Sequence, residues 1–162
     1  MLDSEKPGPH IKGDVIPLLS EKYDLIIAHP PCTYLCNSGV CWIYKDKSRW
    51  RKMLEAADFF SKFLHADCEK IAIENPIMHG FAVRRIGRNF DFSVQPYEHG
   101  HGETKRTCFW TKGLPNLIPT NRVPGRKPKV NYESPGPDRW KNRSRTYPGI
   151  AKAMADQWGN NY

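Results

Sequence analysis

Two short apolar runs, each closed by a proline-containing motif, constrain the fold of this 162-residue chain more than any other feature. Residues 23–28 (YDLIIA) stop at His-Pro-Pro-Cys, and residues 70–73 (KIAI) stop at Glu-Asn-Pro. A short unbroken apolar run is typical of a strand buried on both faces, as in a parallel sheet. Residues 47–66, between the two runs, carry apolar side chains at helical spacing. The order strand, helix, strand predicts an α/β fold with a mainly parallel sheet.

The rest of the chain extends this alternation and then changes character. We predict a helix over residues 77–86, strands over 92–95 and 107–111, and a final helix over 148–158 that begins with a proline. Residues 113–146 are rich in Pro, Gly and basic side chains, which predicts mostly loop. We therefore expect a single domain with three parts: an α/β core that carries the candidate catalytic residues (1–112), a basic loop region (113–146) and a C-terminal helix that packs back on the core (147–162).

The charge of the chain favours a polyanionic partner. The formal net charge is +8, and the stretch from Lys105 to Arg145 holds eleven Lys or Arg residues against two acids. Aromatic side chains are interleaved there, and this combination suits phosphate contacts and base stacking on DNA, although a merely soluble basic protein remains the alternative. The residues that we predict to bind DNA phosphates are Arg122, Arg126, Lys127, Lys129, Arg139, Lys141, Arg143 and Arg145.

Other patterns exclude several classes of protein. The sequence has no apolar run of membrane-spanning length and no signal-peptide pattern, so we expect a cytoplasmic protein without a membrane partner. An odd number of cysteines, five, argues against a disulfide framework. Cys32, Cys36 and Cys41 do not have the spacing of a zinc or iron–sulfur site, so we predict no metal.

Cys32 and Glu74 are the candidate catalytic residues, because polar groups that follow buried strands collect at one edge of a parallel sheet. A thiol in a stiff Pro-Pro loop can act as a nucleophile when its surroundings lower its pKa. A carboxyl group at the mouth of an apolar strand suits acid–base work. The alternatives are a buried structural cysteine and an ordinary loop acid.

Together these motifs resemble the cytosine-5 DNA methyltransferases, most closely small phage-encoded members, over nearly the whole chain. That family has a Pro-Cys nucleophile loop and a Glu-Asn-Val element where this sequence has Pro30-Pro31-Cys32 and Glu74-Asn75-Pro76. The resemblance implies a truncated Rossmann-like methyltransferase fold with helices on both faces of the sheet, and a location in the cytoplasm of a bacterial host.

The resemblance also implies site residues and a cofactor. Lys105 and Arg106 match a basic pair that braces the catalytic loop, and both join the catalytic set. Asp14 matches an acid that contacts the adenine of S-adenosylmethionine, and Pro30, Pro31 and Asn75 complete the expected cofactor-binding residues.

The implied mechanism is covalent. The target cytosine is flipped out of the duplex, the Cys32 thiolate adds to carbon 6, and Glu74 protonates or hydrogen-bonds nitrogen 3. Carbon 5 then takes the methyl group, a base removes the carbon-5 proton, and the thiolate leaves.

One family element, a first strand with a glycine-rich FxGxG turn, has no counterpart in this sequence. We expect that a second polypeptide or a second copy completes the sheet, or that the cofactor site is rebuilt. Two other functions stay open: an inactive pseudoenzyme of phage type that binds DNA or inhibits a host protein, and a cysteine enzyme acting on free pyrimidine nucleotides.

Overall fold

A four-stranded sheet forms the centre of the protein. The computed structural model describes residues 8–159, so the ends of the predicted core and C-terminal segment (residues 1–7 and 160–162) lie outside the described residues. The strand order is β1-β2-β4-β3. The strands are β1 (Ile26–Ala28), β2 (Ile71–Asn75), β3 (Phe92–Val94) and β4 (Thr107–Lys112).

The sheet is mixed, and the prediction of a mainly parallel sheet is wrong. Strands β1 and β2 are parallel, whereas β4 runs antiparallel to both β2 and β3. The chain between β3 and β4 contains a 3-10 turn (Pro96–Glu98) instead of a crossover helix. Without that crossover the chain folds back on itself, and β4 enters between β2 and β3 in the reverse direction.

In the described part of the chain, five α-helices accompany this sheet, and they confirm the coarser prediction of an α/β fold. They are α1 (Cys41–Lys45), α2 (Ser48–Leu64), α3 (Gly80–Ile86), α4 (Arg139–Ser144) and α5 (Pro148–Trp158). Helices α2 and α5 match the predicted helices at 47–66 and 148–158 closely. Helix α3 begins three residues later than predicted, because His79 caps its first turn by accepting a hydrogen bond from the Ala82 amide.

Helices α2 and α3 cover one face of the sheet. Met53, Ala57 and Phe60 lie on one side of α2 at helical spacing and are all buried. They pack in one cluster with Ile73 of β2 and Trp110 of β4, and the Phe60 ring meets the Trp110 ring edge to face at 5.1 Å. This face therefore forms the larger of the two hydrophobic cores.

Helix α5 covers the opposite face. Its Ile150, Met154 and Trp158 pack with Ala72 and Phe109 of the sheet, so helices flank both faces as expected. The helix starts tightly against the neighbouring loop: a β-carbon at Gly149 would lie within 1.8 Å of the His99 carbonyl oxygen. Only glycine fits there, because any side chain would push the helix off the sheet.

The basic region 113–146 is mostly loop, with a 3-10 turn (Lys129–Tyr132) and the short helix α4. Its contacts tie it to the core, since the Thr104 amide donates to the Lys127 carbonyl and the Val123 amide to the Tyr97 carbonyl. Within residues 8–159, no helix has both the length and the apolar character needed to cross a membrane.

Candidate active site

The loops that follow β1 and β2 are joined by hydrogen bonds. The buried Asn75 side chain at the end of β2 donates to the Pro30 carbonyl at 2.8 Å, and the Asn37 amide donates to the Ile77 carbonyl at 2.9 Å. Both bonds join the loop that follows β1 to the end of β2 and the residues that follow it. The Pro-Pro-Cys and Glu-Asn-Pro motifs thus belong to one structural unit.

His79 fixes the position of the turn that carries Cys32. Its amide donates to the Leu35 carbonyl at 2.9 Å, and its Nε2 lies 3.0 Å from the Tyr34 carbonyl. Because its Nδ1 accepts from the Ala82 amide, the Nε2 carries the proton and donates it to Tyr34. His79 is 2% exposed, so this buried, neutral histidine acts as a structural link between the two loops.

Glu74 lies at the predicted strand end, but inside β2 and not after it. Its side chain is 13% exposed, and its Oε2 lies 3.1 Å from Nδ1 of His29, the residue that follows β1. A carboxylate accepts hydrogen bonds, so His29 donates from Nδ1. The pair leaves one carboxylate oxygen of Glu74 for another partner.

Cys32 and Cys36 lie at the two ends of one turn, in which the Cys36 amide donates to the Cys32 carbonyl at 2.9 Å. Both residues are partly exposed, and their thiols share a hydrogen bond. That bond, followed by burial and by the charges of Cys36 and Glu74, raises the pKa of the Cys32 thiol. The same bond lowers the pKa of Cys36, and donors from Ser38 and Gly39 act in the same direction. The two shifts have opposite directions, so the Cys36 thiol gives up its proton more readily than the Cys32 thiol.

Lys105 is a further charged group near Cys32 and Glu74. Burial lowers the pKa of its ammonium group, while the charges of Glu74 and Cys32 act in the opposite direction. The Nζ atom donates to the Arg145 carbonyl at 2.8 Å, and it lies 5.8 Å from the centre of the Tyr147 ring. Lys105 thus connects the candidate site to the basic region.

The predicted catalytic residues divide into two groups. Cys32, Glu74 and Lys105 lie within electrostatic range of one another, because each charge changes the pKa of a neighbour in the set. Arg106 is exposed, and its charge acts on the buried Cys108, whose pKa burial raises to about 11. The first three are therefore close in space, whereas no hydrogen bond or ion pair joins the Arg106 side chain to any of them in the described structure.

A cleft of about 420 Å³ lies on the β1 side of the site. His29, Pro30 and Pro31 form its end nearest Cys32, and its walls are mainly apolar side chains from β1, from α2 and from the turn at Pro17–Ser20. Asp14 is outside the lining, and its Oδ1 accepts from the Ile16 amide at 3.0 Å. Among the described residues, the buried Oδ1 of Asn75 has no hydrogen-bond partner.

A second cleft, of about 660 Å³, separates the basic region from the start of α5. Lys129, Arg143 and Arg145 line it together with the acids Glu103 and Glu133. The charge of Arg143 lowers the pKa of Lys105, so this cleft adjoins the candidate active site.

Several of the eight predicted DNA-binding residues already contact the protein. Arg122 pairs with Glu98 at 3.4 Å, Lys129 lies 3.6 Å from Glu103, and Arg139 donates to the Glu133 carbonyl. Arg126 lies over the Tyr97 ring at 3.5 Å, Lys127 is exposed, and Lys141 is half-buried in α4. Exposed ion pairs of this kind are weak and exchange readily with other anions.

In the part of the chain that the structure describes, no three His, Cys, Asp or Glu side chains are grouped closely enough to hold a metal ion. No protein-family model matches the chain, and no curated protein matches its sequence. The geometry of the chain itself is therefore the basis for a functional proposal.

Sequence analysis missed Cys36 as a member of the site. Cys36 follows Cys32 by four residues, so a turn between them brings the two side chains close together. The Pro-Pro-Cys motif does not indicate that such a turn follows. His29 was visible beside the prolines, yet only the pairing of β1 with β2 brings it to Glu74.

Proposed function

We propose that this chain attacks a cytosine ring of DNA with the Cys32 sulfur and methylates carbon 5, as in the cytosine-5 methyltransferases that its loop motifs resemble. One observation carries the proposal: a thiol, a carboxylate and an ammonium group from three distant segments lie within electrostatic range of one another near the carboxyl ends of β1 and β2. A truncated Rossmann-like fold is part of the proposal, and the parallel β1–β2 pair with its polar strand ends supports it.

The thiol pair supplies the nucleophile and removes its proton. Cys32 donates a hydrogen bond to the Cys36 sulfur, so the proton passes to Cys36 as the Cys32 sulfur bonds to carbon 6 of the ring. A distant base is unnecessary, because the acceptor is already in hydrogen-bond contact.

Glu74 and Lys105 stabilise the charge that this addition creates. As the sulfur adds, Glu74 in its acid form donates a proton from its second oxygen to nitrogen 3 of cytosine, while His29 holds the other oxygen in place. The nearby Lys105 ammonium group balances the negative charge of the thiol pair and the carboxylate. Preoriented charges of this kind act strongly in a half-buried site.

The cleft beside β1 fits the expected cofactor. Its apolar walls suit a purine ring, and the unpaired Oδ1 of Asn75 adds a buried acceptor beside Pro30. Pro30, Pro31 and Asn75 would then hold S-adenosylmethionine, which supplies the methyl group when bound. Asp14 would have to give up the hydrogen bond that its carboxylate accepts from the Ile16 amide before it could contact the cofactor.

DNA enters the proposal through the basic region. Lys105 donates to the Arg145 carbonyl, so a DNA backbone held against Arg143 and Arg145 would lie next to Lys105. The exposed pairs of Arg122 and Lys129 can exchange their carboxylate partners for phosphates. This charge pattern predicts binding that weakens steeply as salt concentration rises.

The test is release of tritium from duplex DNA that contains cytosine tritiated at carbon 5. Thiol addition at carbon 6 labilises carbon 5, so release to water reports nucleophilic attack with or without the cofactor. We expect release by the wild-type chain, loss of release in Cys32→Ser, and wild-type release in Cys41→Ser, which removes an exposed thiol outside the pair.

Other outcomes separate the open alternatives. Release that persists in Cys32→Ser would overturn the proposal. DNA binding with no release by the wild type would indicate an inactive DNA-binding protein, and release from deoxycytidine monophosphate but not from duplex would indicate a nucleotide enzyme. Calorimetry with S-adenosylmethionine, with and without DNA, tests the methyl donor separately.

A further inference from the structure

Two of the five thiols form a pair whose chemistry extends beyond the proposed reaction with cytosine. Cys32 and Cys36 lie in one turn, the Cys36 amide donates to the Cys32 carbonyl at 2.9 Å, and both side chains reach solvent in part. Their turn is followed by a second tight turn (Asn37–Gly39) and not by a long helix. The pair is therefore accessible to small oxidants.

The surroundings of Cys36 stabilise a thiolate. The Ser38 hydroxyl lies 3.2 Å from the Cys36 sulfur, and the Gly39 amide and the Cys32 thiol add further donors. Thiolates, and not thiols, react with peroxides. Cys36 is thus the attacking sulfur, and Cys32 is the second thiol held in contact with it.

The remaining cysteines have different surroundings. Cys108 is fully buried, and Cys68 is buried with its thiol donating to the carbonyls of Tyr23 and Lys70. Cys41 is exposed and begins α1. Among the five, Cys32 and Cys36 are therefore the two that one backbone hydrogen bond holds in the same turn with both side chains partly exposed.

We propose that Cys32 and Cys36 are an oxidisable dithiol that forms an intramolecular disulfide on exposure to hydrogen peroxide. The Cys36 thiolate attacks one peroxide oxygen, the O–O bond breaks, and hydroxide leaves and takes up a proton as water. The Cys36 sulfenic acid is then attacked by the Cys32 sulfur, the S–O bond breaks, and a second water leaves. Both sulfurs are oxidised, peroxide is reduced, and two thiols with one peroxide give one disulfide and two waters.

The geometry favours a disulfide that is easily reduced. A disulfide needs its two Cβ atoms about 3.5–4.5 Å apart. Forming it constrains a turn that His79 anchors through Tyr34 and Leu35 and that ends with extended backbone angles at Cys36. Strained, exposed disulfides of this kind have high reduction potentials. Where the proposed function holds, the bond also withdraws the nucleophile, and reduction restores it.

The experiment uses the full chain and needs no DNA. Cys32, Cys36 and Cys41 fall in one tryptic peptide, residues 23–45, so the work is done in a Cys41→Ser background. Reduced protein receives a few equivalents of hydrogen peroxide, and the remaining thiols are alkylated before mass spectrometry. We expect the peptide to lose the mass of two hydrogen atoms, to resist alkylation, and to recover both thiols with dithiothreitol.

Single variants test the order of steps. In Cys32→Ser we expect a Cys36 sulfenic acid that dimedone traps, and in Cys36→Ser we expect Cys32 to stay reduced under the same treatment. Direct oxidation of either residue to sulfinic acid in the Cys41→Ser background, or retention of both free thiols, would overturn the inference. Because the readout is thiol mass, it stands or falls independently of tritium release from DNA.

Discussion

Replacing Cys36 with alanine is expected to make Cys32 more reactive, although the change removes a neighbouring thiol. The main cause of the raised pKa of Cys32 is the hydrogen bond that it donates to Cys36, and the Cys36 charge adds to it. The alanine variant removes both effects and leaves burial and the charge of Glu74. The pKa of Cys32 must therefore fall toward its ordinary value.

The size of the effect follows from the strength of that bond. A hydrogen bond to a charged group contributes about 1.5–3 kcal/mol, which corresponds to about one to two pKa units. Below the pKa, the thiolate fraction then rises about 10- to 100-fold. Nucleophilicity falls as the pKa falls, with a Brønsted slope of about 0.4–0.5, so the net alkylation rate rises about 3- to 15-fold.

The assay is the rate of Cys32 alkylation by iodoacetamide near neutral pH, followed by mass spectrometry in a Cys41→Ser background. Cys36→Ser is the matched control, since its hydroxyl accepts a hydrogen bond but carries no charge, and its rate should lie between those of the wild type and the alanine variant. An unchanged or slower rate in Cys36→Ala would refute the assignment of the shared proton to Cys32.

Three further changes test other parts of the structure. Glu74→Gln removes a charge that raises the pKa of Cys32, so iodoacetamide should react faster, whereas tritium release should fall about 10²- to 10⁴-fold; parallel changes in both assays would contradict the proposed role. Trp158→Ala empties a fully buried site in the α5 core and should lower the free energy of unfolding by about 3–5 kcal/mol in urea titrations; a loss below about 1 kcal/mol would show that α5 adds little. Burial acts to raise the pKa of Asp91, but hydrogen bonds from a neighbouring arginine and the Thr111 amide outweigh it and hold the pKa below its ordinary 3.8. The stabilising contribution of the Asp91 carboxylate is complete above pH 3.8 and is lost as pH falls through its lower pKa in the folded protein. Between about pH 5 and pH 2, the urea midpoint of the wild type should therefore fall more than that of Asp91→Asn. Equal losses in the two proteins would show that this carboxylate is unimportant for stability.

The elements that sequence analysis predicted well are those whose pattern is local. Helix α2 shows its apolar face at helical spacing, and α5 is delimited by Pro148 and Gly159. The two proline-closed strands are local patterns too, because an unbroken apolar run ends abruptly at each motif. Such signals depend on neighbours in the chain and not on the rest of the fold.

The features that it missed depend on long-range pairing. Strand direction is not encoded in an apolar run, so nothing in residues 107–111 shows that β4 inserts between β2 and β3. The contact between His29 and Glu74 needs the same sheet register, and the Lys105 bond to the Arg145 carbonyl needs the basic region to fold back. Of the candidate site, the sequence therefore predicts the strand-end residues but not their partners.

Strand β4 contributes side chains to both hydrophobic cores. Cys108 and Trp110 face the α2 side while Phe109 faces α5, so loosening either helix exposes the same backbone. The cores on the two faces of the sheet consequently cannot unfold one after the other, and the protein should unfold in a single cooperative transition. In hydrogen exchange, the amides of this strand should be the last to take up deuterium and should report the global free energy of the protein.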